Sequence, residues 1–308
     1  MTKTTETSLT PAGEAGTFPL GGLTVRRLGY GAMQLPGPGV IGPPRDHDEA
    51  VRVLRRAVEL GVDHIDTAQF YGPDVANALI REALHPYADD LALVSKVGAR
   101  RDASGRWTVA QRPDQLREDV EANLRSLGTD RVAAVNLRRM DTHPDTRPAD
   151  VVPLEAQLAE MVALRDEGKV GGVGVSTVTL AQVDTAIEQA GIVCVQNAYS
   201  LLDQSDTPVL ERCAEAGVAY VPYFPLGSAF AHIASVTDHP PVVALAAERG
   251  VTPAQVGLAW LLARSPNVLL IPGTSSVAHL EQNVAAADLR LSDDDVARLE
   301  LPSPDRPD

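Results

Sequence analysis

Four side chains of different chemistry fall at the ends of short apolar runs. Asp66 and Tyr71 bound the segment Asp66-Thr67-Ala68-Gln69-Phe70-Tyr71, Lys96 closes Val94-Ser95-Lys96, and Gln196 closes Val193-Cys194-Val195-Gln196. A carboxylate, a phenol, an amine and an amide brought to neighbouring strand ends make a proton-donating site. A phenol with an ordinary pKa of about 10 is a poor acid near neutrality, and a neighbouring ammonium favours its charged form. A carboxylate holds that ammonium in place. Tyr71 therefore reads as a general acid, with Lys96 and Asp66 as its tuning partners, suited to protonating an oxygen that gains charge when a carbonyl accepts hydride. Each residue alone has an ordinary explanation as a turn cap, a packed ring or a solvated strand end; the combination points to chemistry.

These residues need elements to position them. Short runs rich in Val, Leu or Ile near 28–32, 62–66, 91–96, 132–138, 171–175, 193–196, 218–223 and 268–271 predict eight strands buried on both faces, as parallel strands are. Between them lie amphipathic segments. Val51, Leu54 and Val58 predict one apolar stripe, and Leu116, Val120, Leu124 and Leu127 another. Thr179 with Gln182 and Thr252 with Gln255 fit capping boxes, while glycines such as Gly128 and Gly217 suit helix ends. Eight strand–helix units close most naturally as a (β/α)8 TIM barrel of the α/β class, whose site lies at the carboxyl ends of the strands. A doubly wound open sheet is the competing arrangement. A hairpin turning at Gly21-Gly22 precedes the first unit, and a C-terminal helix follows Leu291. Residues 98–112 and 224–240 read as longer loops over the mouth.

The chain has 308 residues, 44% of them hydrophobic, enough for one large core, and no linker divides it. Residues 1–16 lack an apolar period and read as a disordered tail ahead of a single domain over 17–308. A net charge of −14 without a basic run argues against nucleic acid as a partner. No stretch approaches the roughly 20 apolar residues of a membrane span, and no signal-peptide core opens the chain, so a cytoplasmic location is expected. Cys194 and Cys213 lack metal or redox spacing and read as packing residues; the histidines likewise predict no metal ion. His64, two residues before Asp66, reads as a packed, hydrogen-bonded side chain. A Gly-x-Gly-x-x-Gly turn is missing after the first strand, so a Rossmann dinucleotide site is unsupported. Nothing in the sequence specifies an oligomeric state.

The order of Leu28-Gly29-Tyr30-Gly31-Ala32-Met33, His64-Ile65-Asp66-Thr67-Ala68 with Tyr71-Gly72, Val94-Ser95-Lys96, Gly172-Val173-Gly174-Val175-Ser176, Val195-Gln196, Tyr223-Phe224-Pro225-Leu226-Gly227 and Ile271-Pro272-Gly273-Thr274 resembles the aldo-keto reductase family over about 23–299. The resemblance implies an NADPH-dependent reductase of aldehydes or ketones, a small carbonyl compound as substrate, Tyr71 as proton donor, Lys96 as its modulator and Asp66 as the partner of Lys96. It places Gly31, Ala32 and Met33 along the cofactor and Tyr223 against the nicotinamide. Ser176, Thr177 and Gln196 fall at its carboxamide, and Phe224, Leu226 and Ser228 along the pyrophosphate. Gly273, Thr274, Ser275 and His279 fall near the adenosine phosphate, and Gln282 and Asn283 near adenine.

Three departures stand out. The family's usual histidine after the fourth strand is Arg138, which is permanently charged and rich in donors; it suits orienting a carbonyl or attracting a substrate anion rather than shuttling a proton, with a structural ion pair as the competing role. Gly273 and His279 replace a common lysine and arginine, so NADH remains open beside NADPH. Thr177 replaces a common asparagine. Within the family the chain is most similar to a bacterial branch acting on pyridoxal, through Gly42-Pro43-Pro44-Arg45 and Ser275-Ser276-Val277-Ala278-His279 among other segments. Pyridoxal is then the first substrate expected, with a carbonyl step in secondary metabolism as the alternative. Such barrels also serve as nucleotide-sensing regulatory subunits with little turnover.

Overall fold

A computed structural model describes residues 11–141, 143, 146–227 and 233–300. Two antiparallel strands come first, β1 (Thr17–Leu20) and β2 (Leu23–Arg26), turning at Gly21-Gly22 as expected. Gly21 has φ +60°, and a Cβ there would lie 1.9 Å from the Ala133 carbonyl oxygen, so only glycine lets the turn press this closely on the sheet. The strands that follow are β3 (Tyr30–Gly31), β4 (His64–Asp66), β5 (Ala92–Val97), β6 (Ala99–Arg101), β7 (Trp107–Val109), β8 (Ala134–Arg138), β9 (Val173–Ser176), β10 (Cys194–Gln196) and β11 (Ala219–Tyr220). Seven of them pair in parallel in the order β11-β10-β9-β8-β5-β4-β3, while β6 and β7 form a separate antiparallel pair.

The expected eighth strand is reduced to single bridges. Leu270 pairs with Leu28 on one side, and Val268 pairs with Tyr220 on the other. The sheet therefore curls until both of its edges meet this segment. Pro272 ends it, and Pro222 likewise shortens the expected 218–223 strand to two residues, because proline has no amide to give a ladder. The expected loop over 98–112 is instead largely the β6–β7 hairpin, which starts at Gly98 with φ +102°.

Helices α1 (His47–Glu59), α2 (Val75–Leu84), α3 (Pro113–Leu127), α4 (Leu154–Asp166), α5 (Leu180–Ala190), α6 (Thr207–Ala216), α7 (Pro240–Arg249), α8 (Pro253–Arg264) and α9 (Val277–Val284) cover the outside. Both threonine capping boxes form, at the starts of α5 and α8. The α3 stripe is buried as expected. In α1 the buried face is Ala50, Val51, Val53, Leu54 and Ala57, whereas Val58 is exposed: Val51 and Leu54 of the expected stripe are buried, and Val58 sits at its edge. The C-terminal helix α10 (Asp293–Leu299) docks on α7 through Arg298 with Glu248 and Arg249 with Asp295. The tail expectation fails at its end, because Pro11–Ala15 form a short 3₁₀ helix that buries Ala12 and Ala15 and donates the Ala12 amide to the Leu60 carbonyl at 3.2 Å. Residues 1–10 lie outside the described residues.

Two apolar layers result. One fills the space between sheet and helices. The other lies inside the curl, where Ala92, Val94, Ala134, Cys194, Val221 and Leu269 meet Leu20 and Val25 of the hairpin. The hairpin thus stoppers one end of the curl, each of its two inward side chains contributing roughly 1.5–3 kcal/mol by burial. The other end, where the strands finish, stays open.

Candidate active site

Alternation along the parallel strands decides what faces the open end. The register pairs Asp66 with Val94, Lys96 with Asn136 and Arg138 with Ser176, so Asp66, Lys96, Arg138, Ser176 and Gln196 share the inner face at the carboxyl ends of their strands. Apolar residues close the floor beneath them, and a cavity of about 510 Å³ opens above.

Asp66 and Lys96 are 4% and 5% exposed. The ammonium donates to Asp66 Oδ1 and, at 3.1 Å, to the Thr67 carbonyl, while Gln196 Nε2 donates to Asp66 Oδ2 at 3.0 Å. Tyr71 follows on the turn after β4, with Lys96 Nζ 5.0 Å from its ring centroid. Burial alone would lower the Lys96 pKa; the charges of Asp66 and Tyr71, with hydrogen bonds to both, outweigh it and hold the amine above its ordinary value. The carboxylate, amine and phenol expected from the sequence are therefore brought together, and the amide of Gln196 joins them through Asp66.

Arg138 is not in an ion pair among the described residues. Its guanidinium lies 4.7 Å from the Trp107 ring centroid and 6.0 Å from that of Phe70, and burial lowers its pKa against the opposing pull of Tyr71 and Tyr223. His64 is buried as expected, but neither ring nitrogen has a hydrogen-bond partner. Its ring occupies the space left by Gly29, whose Cβ would lie 2.2 Å from it, so the packing expected of His64 is present and the hydrogen bond is not.

Of the residues expected along a dinucleotide, Gly31, Met33, Asp66, Ser176, Thr177, Gln196, Tyr223, Phe224, Leu226, Gly273 and Asn283 line the cavity. Ser275 lines an adjoining cavity of about 480 Å³ that shares Met33, Gln34 and Val40 with the first. Ala32 and Thr274 are buried behind the wall, and the Thr274 carbonyl accepts from the Tyr30 hydroxyl at 2.6 Å. His279 and Gln282 are exposed on α9. Ser228 lies outside the described residues. The start of α9 is less open than expected: the Ser276 amide donates to Thr274 Oγ1 at 3.2 Å, and the Val277 amide to Glu49 Oε1 at 3.0 Å. A carboxylate from α1 thus already uses the dipole that a phosphate would seek.

Two features escaped the sequence. Thr177 and Phe224, both on the cavity wall, have φ of +59° and +56°, a backbone shape that costs a β-branched threonine most. Asparagine tolerates it, which gives the Thr177 departure a physical meaning. Arg101, on β6, lines the cavity with its guanidinium 4.0 Å from the Trp107 ring centroid, sharing that ring with Arg138. Its inward position follows from alternation against Arg100, once the hairpin is known. Among the described residues no cluster of His, Cys, Asp and Glu is arranged to hold a metal, and no helix is long and apolar enough to cross a membrane.

A buried carboxylate–amine pair thus lies beside a tyrosine at the open end of a curled parallel sheet, the arrangement expected from the sequence for an oxidoreductase of this fold. In agreement, the sequence pattern of the Aldo/keto reductase family matches residues 27–301, and the chain belongs to this family of oxidoreductases. It is 50% identical over 288 residues to pyridoxine 4-dehydrogenase of Escherichia coli, covering 93% of this chain and 98% of that protein. Its fold is similar to the crystal structure of a thermostable aldo-keto reductase in complex with the inhibitor epalrestat (TM-score 0.77, 30% identity, covering 92% of this chain and 98% of that one). It is also similar to an aldo/keto reductase from Klebsiella pneumoniae in complex with NADP and acetate (TM-score 0.76, 26% identity, covering 95% and 97%).

Proposed function

We propose that this chain reduces an aldehyde or ketone to an alcohol with NADPH, with Tyr71 as the general acid and pyridoxal or a similar aromatic aldehyde as substrate. The reading rests on one (β/α)8 domain in which residues 268–271 stand as the eighth strand. The observation that carries it is the Asp66–Lys96 pair, buried at the floor of the cavity with the Tyr71 ring beside the ammonium.

Two adjoining cavities of about 510 and 480 Å³, running from Tyr223 to Ser275, give room for a dinucleotide. Gly31 and Gly273 leave that wall free of side chains where their backbones approach: a Cβ on Gly273 would stand 2.7 Å from the Gly31 carbonyl oxygen. Ser176 and Gln196 offer a hydroxyl and an amide at the inner end, and Tyr223 a flat ring. When bound, the reduced nicotinamide supplies the hydride. Tyr71 gives its hydroxyl proton to the carbonyl oxygen, and the Lys96 ammonium stabilises the phenolate left behind. Asp66 fixes the ammonium with one oxygen and takes the Gln196 amide on the other. Arg138, always charged, orients the carbonyl and stabilises negative charge on its oxygen without moving a proton.

The E. coli pyridoxine 4-dehydrogenase, half identical over nearly the whole length, supports a pyridoxal-like substrate, and the NADP complex from Klebsiella supports the dinucleotide. The test is a panel of carbonyl compounds including pyridoxal, followed by NADPH and by NADH absorbance. Tyr71→Phe should lose nearly all turnover and Arg138→His keep a substantial part. Equal losses in the two variants would overturn the division of roles, and a wild type that oxidises neither dinucleotide would overturn the proposal.

A further inference from the structure

Most arginines of this acidic chain sit against carboxylates. Arg100 pairs with Glu118 and Asp119, and Arg139 pairs with Asp141. Their immediate neighbours, Arg101 and Arg138, face the cavity instead and have no carboxylate within 4.0 Å among the described residues. Both guanidiniums lie on the Trp107 ring, at 4.0 and 4.7 Å from its centroid, so the indole holds two like charges close together. The only hydrogen bond the Arg101 guanidinium makes among these residues runs from Nη1 to the Gly105 carbonyl at 2.7 Å, and its Nε is buried with no partner. The remaining charges of the cavity, Asp66 and Lys96, neutralise each other. Two cations with unused donors, next to the carbonyl-protonating tyrosine and without an acidic partner, leave the cavity short of negative charge.

We infer that Arg101, Trp107 and Arg138 form a recognition site for an anionic group on the substrate, so that the preferred carbonyl compounds carry a phenolate, carboxylate or phosphate close to the reacting carbon. This deepens the proposed reductase reading and rests on it. Guanidinium binds such oxygens through paired N–H donors, and the charge-assisted bonds are stronger than neutral ones. The β6–β7 hairpin sets the geometry: Arg101 pairs in register with Trp107, which carries the indole to the guanidinium of β8. Burial, with the charge of Arg138, lowers the Arg101 pKa, and an anion bound by both guanidiniums offsets their repulsion.

The experiment measures kcat/KM for NADPH-dependent reduction of benzaldehyde, 3-carboxybenzaldehyde, salicylaldehyde and an aldehyde bearing a phosphate monoester, using the full chain. Wild type should favour at least one charged aldehyde over benzaldehyde tenfold or more, and added salt should shrink that ratio. Arg101→Met should cut the ratio at least fivefold, through KM of the charged compound, and Arg101→Lys should restore part of it. A wild-type ratio near one for every charged aldehyde overturns the inference, as does an Arg101→Met variant that lowers all four in proportion. The wild-type ratio and its salt dependence decide the matter even where a variant does not fold. A wild type that turns over no carbonyl at all fails the reductase reading instead, whereas one that reduces benzaldehyde as well as the charged compounds fails only this inference.

Discussion

Replacing Asp66 by Asn should destabilise the protein far more than replacing it together with its partner. At 4% and 5% exposure, Asp66 and Lys96 are both out of water, and among the described residues each is the other's one ion-pair partner. Asp66→Asn strands the ammonium with the Thr67 carbonyl at 3.1 Å and the Tyr71 side chain; Lys96→Met strands the carboxylate with the Gln196 amide at 3.0 Å. Breaking a buried pair from one side costs about 3–5 kcal/mol, a large share of a total stability that is ordinarily about 5–15 kcal/mol. For a chain of this size that is a fall in Tm on the order of 5–10 °C. The double variant Asp66→Asn with Lys96→Met buries no charge and should recover most of the loss, while remaining as inactive as either single variant. Thermal melts followed by circular dichroism on the four proteins, with kcat/KM on the same samples, make the comparison. Losses in the double variant equal to the sum of the two single losses would show that the two groups are not coupled and refute the reasoning.

Other perturbations test other parts of the structure. Thr177→Asn should raise Tm by a few degrees, since relieving a left-handed φ of +59° at a β-branched residue recovers roughly 1–2 kcal/mol; an unchanged melt would mean that the site carries no strain. Glu49→Gln removes the carboxylate that caps α9 at Val277 and should tighten NADPH binding severalfold while changing NADH binding less, as measured by fluorescence titration; equal shifts for both would remove Glu49 from phosphate selectivity. Asp295, held down to a pKa of about 2 by Arg249 and by the Ser292 amide and hydroxyl, contributes stability that is present above the ordinary carboxylate value and lost as pH falls through its own. Asp295→Ala should therefore cost about 1 kcal/mol near neutrality, the usual value of a helix cap, and the gap between variant and wild type should close from about pH 4 to pH 2.

The chemistry proved easier to read from the sequence than its surroundings. Asp66 and Lys96 end apolar runs, and a strand's alternation leaves little freedom in where their side chains point. The threonine capping boxes depend on contacts three residues apart, so they too were visible. Long-range contacts were not. Val58 sits on the helical period of α1 yet lies outside the contact, because what decides is which side chains the sheet beneath can accept. The β6–β7 hairpin has no strong alternating pattern, and its Trp107 meets Arg138 of another strand, a contact that local spacing does not reveal. Arg138 was identified as a departure, but only the structure shows that it has no carboxylate partner among the described residues and shares the Trp107 ring with Arg101. Glu49 capping α9 joins residues 228 positions apart, a relation no local pattern records.

The seam where the curl meets itself has a consequence for how the chain is made. Arg27 donates to the Val268 carbonyl at 3.1 Å, 241 positions away, and Gly29 to the Leu270 carbonyl at 2.8 Å. During synthesis the opening strand must therefore wait, with its backbone edge unpaired, until almost all of the polypeptide has left the ribosome. The edge of β11 waits as well, for the same late segment. Unpaired edges invite pairing with other chains. The nascent protein should thus be most in need of chaperone protection in the interval before residue 270 emerges, and shortened products ending ahead of it should aggregate rather than persist as open sheets.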